Sequence, residues 1–430
     1  MAPIQIPDDA IETEHAASGW LMPSLMRWVA VALLVRLAAA LALDFWARRR
    51  GVVCLFDDTR IYWYLAGRIR DGLPYMVPQY EQPHFALRTP GYPLFLAACR
   101  WLFGDFTLVP RLIQVISSAL GVGALMLLVG RLLGYQGRGR NAVEWTGRLA
   151  ALEPFSVGLS VLLLSEALFV PLMILGLYGL ERLARPVFDS QAKLWRVGLG
   201  TGLVQGATVL VRPSWLLFVP LACFWLLIDA RNGAVVNARL RSIALLMVGF
   251  VLIMSPWWVR NAQVFHRFVP TALWMGASLY DGLNPQATGA SDMRFLDDPQ
   301  IRSLDEQSQD RFLNEQAWAF VRDRPVRALE LAAIKFGRFW SPWPNAAEFR
   351  NPAIAVLSAL VTVPLFAMMA VGLVSLRGNG RALFLLAAPL VYVALLHLVF
   401  VGSIRYRLAA QVPAFGLAAW ALSTMRSPQR

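Results

Sequence analysis

The feature that most constrains this chain is a series of apolar runs recurring between residues 25 and 425. Each is roughly 20 residues long, enough for a helix to cross the hydrocarbon core of a bilayer. Backbone N–H and C=O groups find no water there, so a chain of such runs must satisfy them within helices. The runs are 25–46, 107–130, 143–161, 164–182, 197–212, 214–230, 241–259, 353–375, 382–402 and 406–425. Composition agrees, with 57% hydrophobic and only 16% charged residues, against roughly 25% charged in soluble domains. The expected fold class is an all-α polytopic membrane protein, a bundle of about ten transmembrane helices.

One further apolar stretch, 90–103, is too short to cross and reads as an interfacial helix. Charge supports that reading. If 90–103 does not span and the N-terminus is cytoplasmic, five basic connectors fall on the cytoplasmic side, where lysine and arginine accumulate. These carry Arg131, Arg138 and Arg140; Arg182, Arg185, Lys193 and Arg196; Arg231, Arg239 and Arg241; Arg377 and Arg381; and Arg426 and Arg430. The run Arg48–Arg50 is the exception. The expected organisation is a cytoplasmic tail (1–24), a transmembrane module (25–259) enclosing an external interfacial loop (47–106), an extracytoplasmic loop (260–350) and C-terminal transmembrane helices (351–430). In the second loop, residues from about 306 to 338 read as amphipathic helix.

The net charge of +13 is spread over these connectors rather than gathered into a patch, so no nucleic-acid partner is expected. No G-x-G-x-x-G or Walker A pattern marks a nucleotide site. Cys54, Cys99 and Cys223 follow no metal-ligand spacing. The acidic N-terminal tail and long first run do not read as a cleavable signal peptide.

The expected topology collects polar residues at one end of the bundle. Asp57 and Asp58 follow the first span, and Glu153 and Glu166 flank the turn between the third and fourth. Arg212 ends the fifth span, Arg260 the seventh, and Arg405 and Arg407 open the last. Taken singly, each could snorkel to headgroups or cap a helix. Together they form a candidate site, since charge at membrane depth is costly unless paired or used. Helical phase separates the two aspartates: Asp58 shares a face with Tyr62, Leu65 and Ile69, Asp57 with Arg60, Tyr64 and Arg68. Desolvation on the apolar face is expected to raise the Asp58 pKa, which suits a general base. A helix N-cap is the competing role, and both stay open. Forked arginines suit an anionic phosphate, whereas a lone His84 reads more readily as structural. Arg36, midway along the first span, is expected to pair with a neighbouring helix.

An ordered series of short motifs resembles the GT-C superfamily of bacterial membrane glycosyltransferases, in the group related to protein O-mannosyltransferases and the lipid A aminoarabinose transferase. It runs from Asp58-Thr59 with Tyr62, through Arg88-Thr89-Pro90-Gly91-Tyr92-Pro93, Leu164-Ser165-Glu166 and Val211-Arg212-Pro213. It continues with Pro256-Trp257-Trp258-Val259-Arg260-Asn261, Asn284-Pro285 and Arg405-Tyr406-Arg407-Leu408. The resemblance implies a polyprenyl-phosphate-linked sugar donor, a hydroxyl-bearing acceptor of the cell envelope and inversion at the anomeric carbon. It implies a multi-pass protein of the bacterial inner membrane, in contact with membrane lipids, its site facing the periplasm or cell exterior. Asp58 takes the position of the family's catalytic acid, with Asp57 beside it and Glu166 at a second acidic position. Arg212, Arg260, Arg405 and Arg407 are candidates for donor phosphate, and Tyr62, His84, Arg88, Tyr280 and Asn284 for the acceptor or sugar pocket. Glu153 departs from the pattern, as does Ala409 where proline is usual. No cofactor is required by this reading, and use of a divalent cation stays open. Two alternatives are a flippase of lipid-linked sugars and a ligase or polymerase with a diphosphate-linked donor.

Overall fold

A computed structural model describes residues 9–52, 54–79, 82–185, 190–229, 233–345 and 351–424. Residues 1–8 of the expected tail, Arg231, Arg426 and Arg430 lie outside the described residues. The helices are α1 (Asp9–Arg50), α2 (Asp57–Arg70), α3 (Gly91–Phe103), α4 (Leu108–Leu133), α5 (Gly137–Leu152) and α6 (Pro154–Val161). They continue as α7 (Glu166–Leu183), α8 (Gln191–Val211), α9 (Phe218–Ile228), α10 (Gly233–Phe265), α11 (Met275–Gly282) and α12 (Pro299–Arg302). The last are α13 (Glu306–Asp323), α14 (Pro325–Phe339), α15 (Pro352–Ser375), α16 (Gly380–Val399), α17 (Ile404–Ala410) and α18 (Phe415–Thr424). A short antiparallel hairpin, β1 (Val77–Gln79) with β2 (Gln82–His84), is the sole sheet among the described residues.

The fold is an all-α membrane bundle. Among the described residues, six helices (α1, α4, α8, α10, α15 and α16) are individually long and apolar enough to cross a membrane. The remaining expected spans are built from shorter pieces, for local reasons. Residues 143–161 divide at Glu153, whose carboxylate caps α6 by accepting from the N–H groups of Phe155 (3.2 Å) and Ser156 (2.6 Å). After α6 the chain breaks at Leu162–Ser165 and turns by 114° into α7. Pro213 interrupts the passage from α8 to α9, and Pro413 the passage from α17 to α18. The helix α3 has 13 residues, about 20 Å at 1.5 Å each, too short to cross and consistent with an interfacial position. Its exposed apolar residues include Leu94, Trp101, Leu102 and Phe103.

Buried arginines tie the bundle together by satisfying backbone carbonyls where helices end. Arg36, 2% exposed, donates to Ala150 O (2.8 Å) and Ala151 O (3.0 Å) at the C-terminus of α5, and to Ser118 Oγ (3.0 Å). It therefore pairs with neighbouring helices, as expected. Arg111 on α4 pairs with Asp44 on α1 at 3.0 Å. At the opposite end Glu181 accepts from Arg131 (2.5 Å) and Arg185 (2.7 Å), and Asp229 joins Arg239 and Arg381.

Helix α8 crosses α10 at close approach. Gly198, Gly202 and Gly206 recur at four-residue spacing on α8, the small-residue stripe that lets helix backbones approach within a membrane. A side chain at Gly202 would run into the Leu246 carbonyl of α10, whereas Gly200 has open space where its side chain would be. Gly202→Val is expected to cost about 1–3 kcal/mol or more, read as a lowered thermal midpoint in detergent. Gly200→Val should leave the midpoint unchanged; equal effects would refute the close crossing.

Candidate active site

The break before α7 creates the site. Without helical partners, Leu162 O accepts from Gln114 Nε2 (2.8 Å) and Leu163 O from Thr59 Oγ1 (2.9 Å). Thr59 therefore fixes the first turn of α2 against the N-terminus of α7. This brings Asp58, the residue before it, and Glu166, the first residue of α7, to a common cation. Arg405 on α17 donates Nη1 to Asp58 Oδ2 (2.9 Å) and Nη2 to Glu166 Oε2 (3.1 Å), while its Nε contacts Glu166 Oε1. Arg88 Nη2 donates to the other Asp58 oxygen, Oδ1, at 3.0 Å. Arg212 Nη1 lies 2.9 Å from Glu166 Oε1.

Exposure divides this cluster in two. Glu166 is 0% and Arg212 14% exposed in their side chains, whereas Asp58 is 29%, Arg405 25% and Arg88 18% exposed. The face open to a ligand thus carries Asp58, Arg405 and Arg88, with Glu166 and Arg212 behind it. Three arginines against two carboxylates leave one surplus positive charge. The positive end of the α7 dipole adds to it, so the cluster suits an anion.

Asp58 does not cap α2. The N-cap residue is Phe56, no side chain bonds the free amides there, and both Asp58 oxygens serve arginines. The expected upward pKa shift is also reversed. Burial raises the Asp58 carboxyl, but the Arg88 and Arg405 charges more than offset that and hold it below the usual carboxylate range. Asp57 points to solvent, 95% exposed and 3.8 Å from Arg60, as its helical phase implied.

Other sequence candidates divide similarly. The Tyr62 hydroxyl reaches Ser165 Oγ (3.4 Å) beside Glu166, and its ring packs edge-on to Tyr92. Arg260 donates to Tyr75 O (2.9 Å), and Tyr75 in turn bonds the Arg88 carbonyl (3.0 Å). Arg260 is thereby linked to the cluster through one residue.

Four candidates are not drawn in. Arg407 lies two positions after Arg405, about 200° around a helix; it donates to Phe339 O (2.9 Å) and Ser341 O (2.5 Å), pinning the end of α14. His84 is occupied by Gln309 Oε1 (2.9 Å) and Gln82 O (3.2 Å). The Asn284 side chain bonds Tyr280 O and Gln286 N, closing a local turn, and Tyr280 packs on Phe295. Sequence reading missed Tyr75 and Glu306, whose roles arise from contacts that no local pattern carries.

No group of three His, Cys, Asp or Glu able to hold a metal occurs among the described residues. Asp58 and Glu166, the two acids of the cluster, already have Arg405 between them, where a bridging cation would have to sit. These residues do not fit a divalent metal, and no step below uses one.

Residues 87–259 match the family model described as dolichyl-phosphate-mannose-protein mannosyltransferase. No curated protein matches the chain. Among solved structures, it is similar to the archaeal oligosaccharyltransferase AglB from Archaeoglobus fulgidus, in complex with an inhibitory peptide and a dolichol-phosphate, with a TM-score of 0.52 and 13% identity. That likeness covers 94% of this chain and 50% of AglB, so the chain spans about half the length of that protein. ArnT from Cupriavidus metallidurans bound to undecaprenyl phosphate gives a TM-score of 0.48 at 15% identity, covering 95% of this chain and 78% of ArnT. The family match takes in Arg88, Glu166 and Arg212, and the fold that carries them is similar to that of AglB.

Proposed function

We propose that the protein is an inverting glycosyltransferase that moves a sugar from a polyprenyl-phosphate carrier to an acceptor hydroxyl of the cell envelope. The observation that carries this reading is the Asp58–Arg405–Glu166 bridge: an ionised, accessible carboxylate beside cations that suit a phosphate. The acceptor oxygen attacks the anomeric carbon on the face opposite the phosphate. The bond from that carbon to the phosphate oxygen breaks, and its electron pair leaves with the polyprenyl phosphate. Asp58 takes the acceptor proton. A carboxylate of lowered pKa is a weak base, which is sufficient if the proton moves late. Once the oxygen has begun to bond to carbon its O–H is strongly acidic. Arg405 and Arg260 neutralise the leaving phosphate, while Glu166 and Arg212 hold Arg405 in place from behind.

The arginine-rich connectors gather at the bundle end opposite the site, among them Arg131, Arg185, Arg239 and Arg381. By the positive-inside rule that end is cytoplasmic. This supports a site facing the periplasm or exterior of a bacterial inner membrane.

One observation favours a second reading. Transporters build binding sites from broken helices whose half-helix N-termini face the ligand, and the α6–α7 break puts Glu166 in such a position. Reconstitution separates the two: a flippase moves labelled donor across vesicles intact, whereas the transferase releases free polyprenyl phosphate. A carrier released with two phosphates instead of one would identify a diphosphate-dependent ligase.

Asp58→Asn is expected to lower transfer by at least about 100-fold, and transfer near the wild-type rate would remove Asp58 as the base. The pH profile gives a separate test. Arg88 helps hold the Asp58 carboxyl down, so the ionised form persists as pH falls through the ordinary carboxylate range. In Arg88→Gln that pKa rises, and the acid limb of the transfer profile should move to higher pH. A limb that stays in place would show that Arg88 does not tune Asp58.

A further inference from the structure

The external segment between α10 and α15 grips the chain just before Arg88, at one point by a buried carboxylate. Glu306 is the first residue of α13 and 4% exposed. Its Oε2 accepts from the Phe85 amide (2.6 Å) and its Oε1 from the Ala86 amide (2.9 Å). One turn further along α13, Gln309 bonds the buried His84. The Ala86 carbonyl accepts from Leu273 N (2.9 Å), and the Arg88 guanidinium lies 5.4 Å from the centre of the Trp274 ring. Residues 84–88 therefore have no helix of their own here and take their shape from the external segment. Arg88, at the end of this stretch, supplies one of the two cations on Asp58.

We infer that Glu306 is a positioning residue: its carboxylate straps the Phe85–Ala86 backbone to α13 and so holds Arg88 against Asp58. The two oxygens of a carboxyl group can accept from two consecutive amides at once, which the single oxygen of a glutamine cannot. Its burial gives the strap a direction with pH. Desolvation pushes the Glu306 carboxyl up to about 7, against the Phe85 and Ala86 amides and Arg260, with Asp310 adding to the rise. The charged and titratable groups facing it are Arg260 on α10, Asp310 on its own helix and, across Gln309, His84. A released Glu306 would ionise near its ordinary 4.5. Docking is then fully favoured below that pH, weakens as pH rises to about 7, and is level above.

The test is amide exchange by mass spectrometry on the full-length protein in detergent, reading the peptide that contains Phe85 and Ala86. In Glu306→Gln, exchange there should be about tenfold faster, while Glu315→Gln, on an exposed position of the same helix, should match wild type. The wild-type protection factor, corrected for intrinsic exchange, should fall between pH 5 and 7 and then level off, a trend absent in Glu306→Gln. This series needs only the native protein. The kinetic part rests on the transferase reading above. With an undecaprenyl-phosphate-linked hexose as donor, kcat in Glu306→Gln should drop about tenfold with the donor KM unchanged. Unchanged exchange overturns the strap, and faster exchange with unchanged kcat overturns its link to Arg88. If wild type transfers no sugar, the transferase reading fails, and the exchange measurement, made without substrate, still decides the strap.

Discussion

Everything at the site depends on one guanidinium shared by two carboxylates. Glu166 is fully buried at the start of a helix in a bundle surrounded by hydrocarbon. A charge there is sustainable only if it is paired. Arg405 and Arg212 provide that pairing, and Arg405 has a second edge left for Asp58. The bridge ties α17 to α2 and α7, which the Thr59 bond to Leu163 O already holds together. With Arg88 it also holds the Asp58 carboxyl below its ordinary range, against the desolvation that raises it.

The broken α6–α7 pair shows why the bundle can present such a bridge. A continuous helix would have buried its backbone groups internally and left no free carbonyls at this depth. The break exposes the carbonyls of Leu162 and Leu163, which Gln114 and Thr59 satisfy. Those bonds draw the interfacial helix α2 over the end of the bundle. Glu153 secures the other end of α6, where its carboxylate accepts from the Phe155 and Ser156 amides.

The segment between α10 and α15 completes the arrangement. Lys335, 0% exposed, donates to the terminal carbonyls of α16 at Leu398 (3.1 Å) and Val399 (2.6 Å). Arg407 anchors the end of α14, and Glu306 holds the loop leading to Arg88. Cations and one carboxylate do here what capping side chains do in soluble proteins. They satisfy helix ends and loop amides that lie too deep for water.

The sequence alone determined the membrane class, because runs long enough to span leave the backbone few alternatives. It also separated Asp58 from Asp57, because helical phase is a local property. Long-range pairing was not legible. Arg405 lies 347 positions from Asp58 and 239 from Glu166, and no local pattern says that it, and not Arg407 two residues on, will meet them. Which way each arginine faces, and therefore the direction of the Asp58 pKa shift, is set by packing. The turn between the third and fourth runs was legible at 162–163, but not which side chains would satisfy the carbonyls it frees. Local chemistry named the charges, and only the tertiary fold decided which of them share a site, because in a low-dielectric interior a charge is defined by its partners.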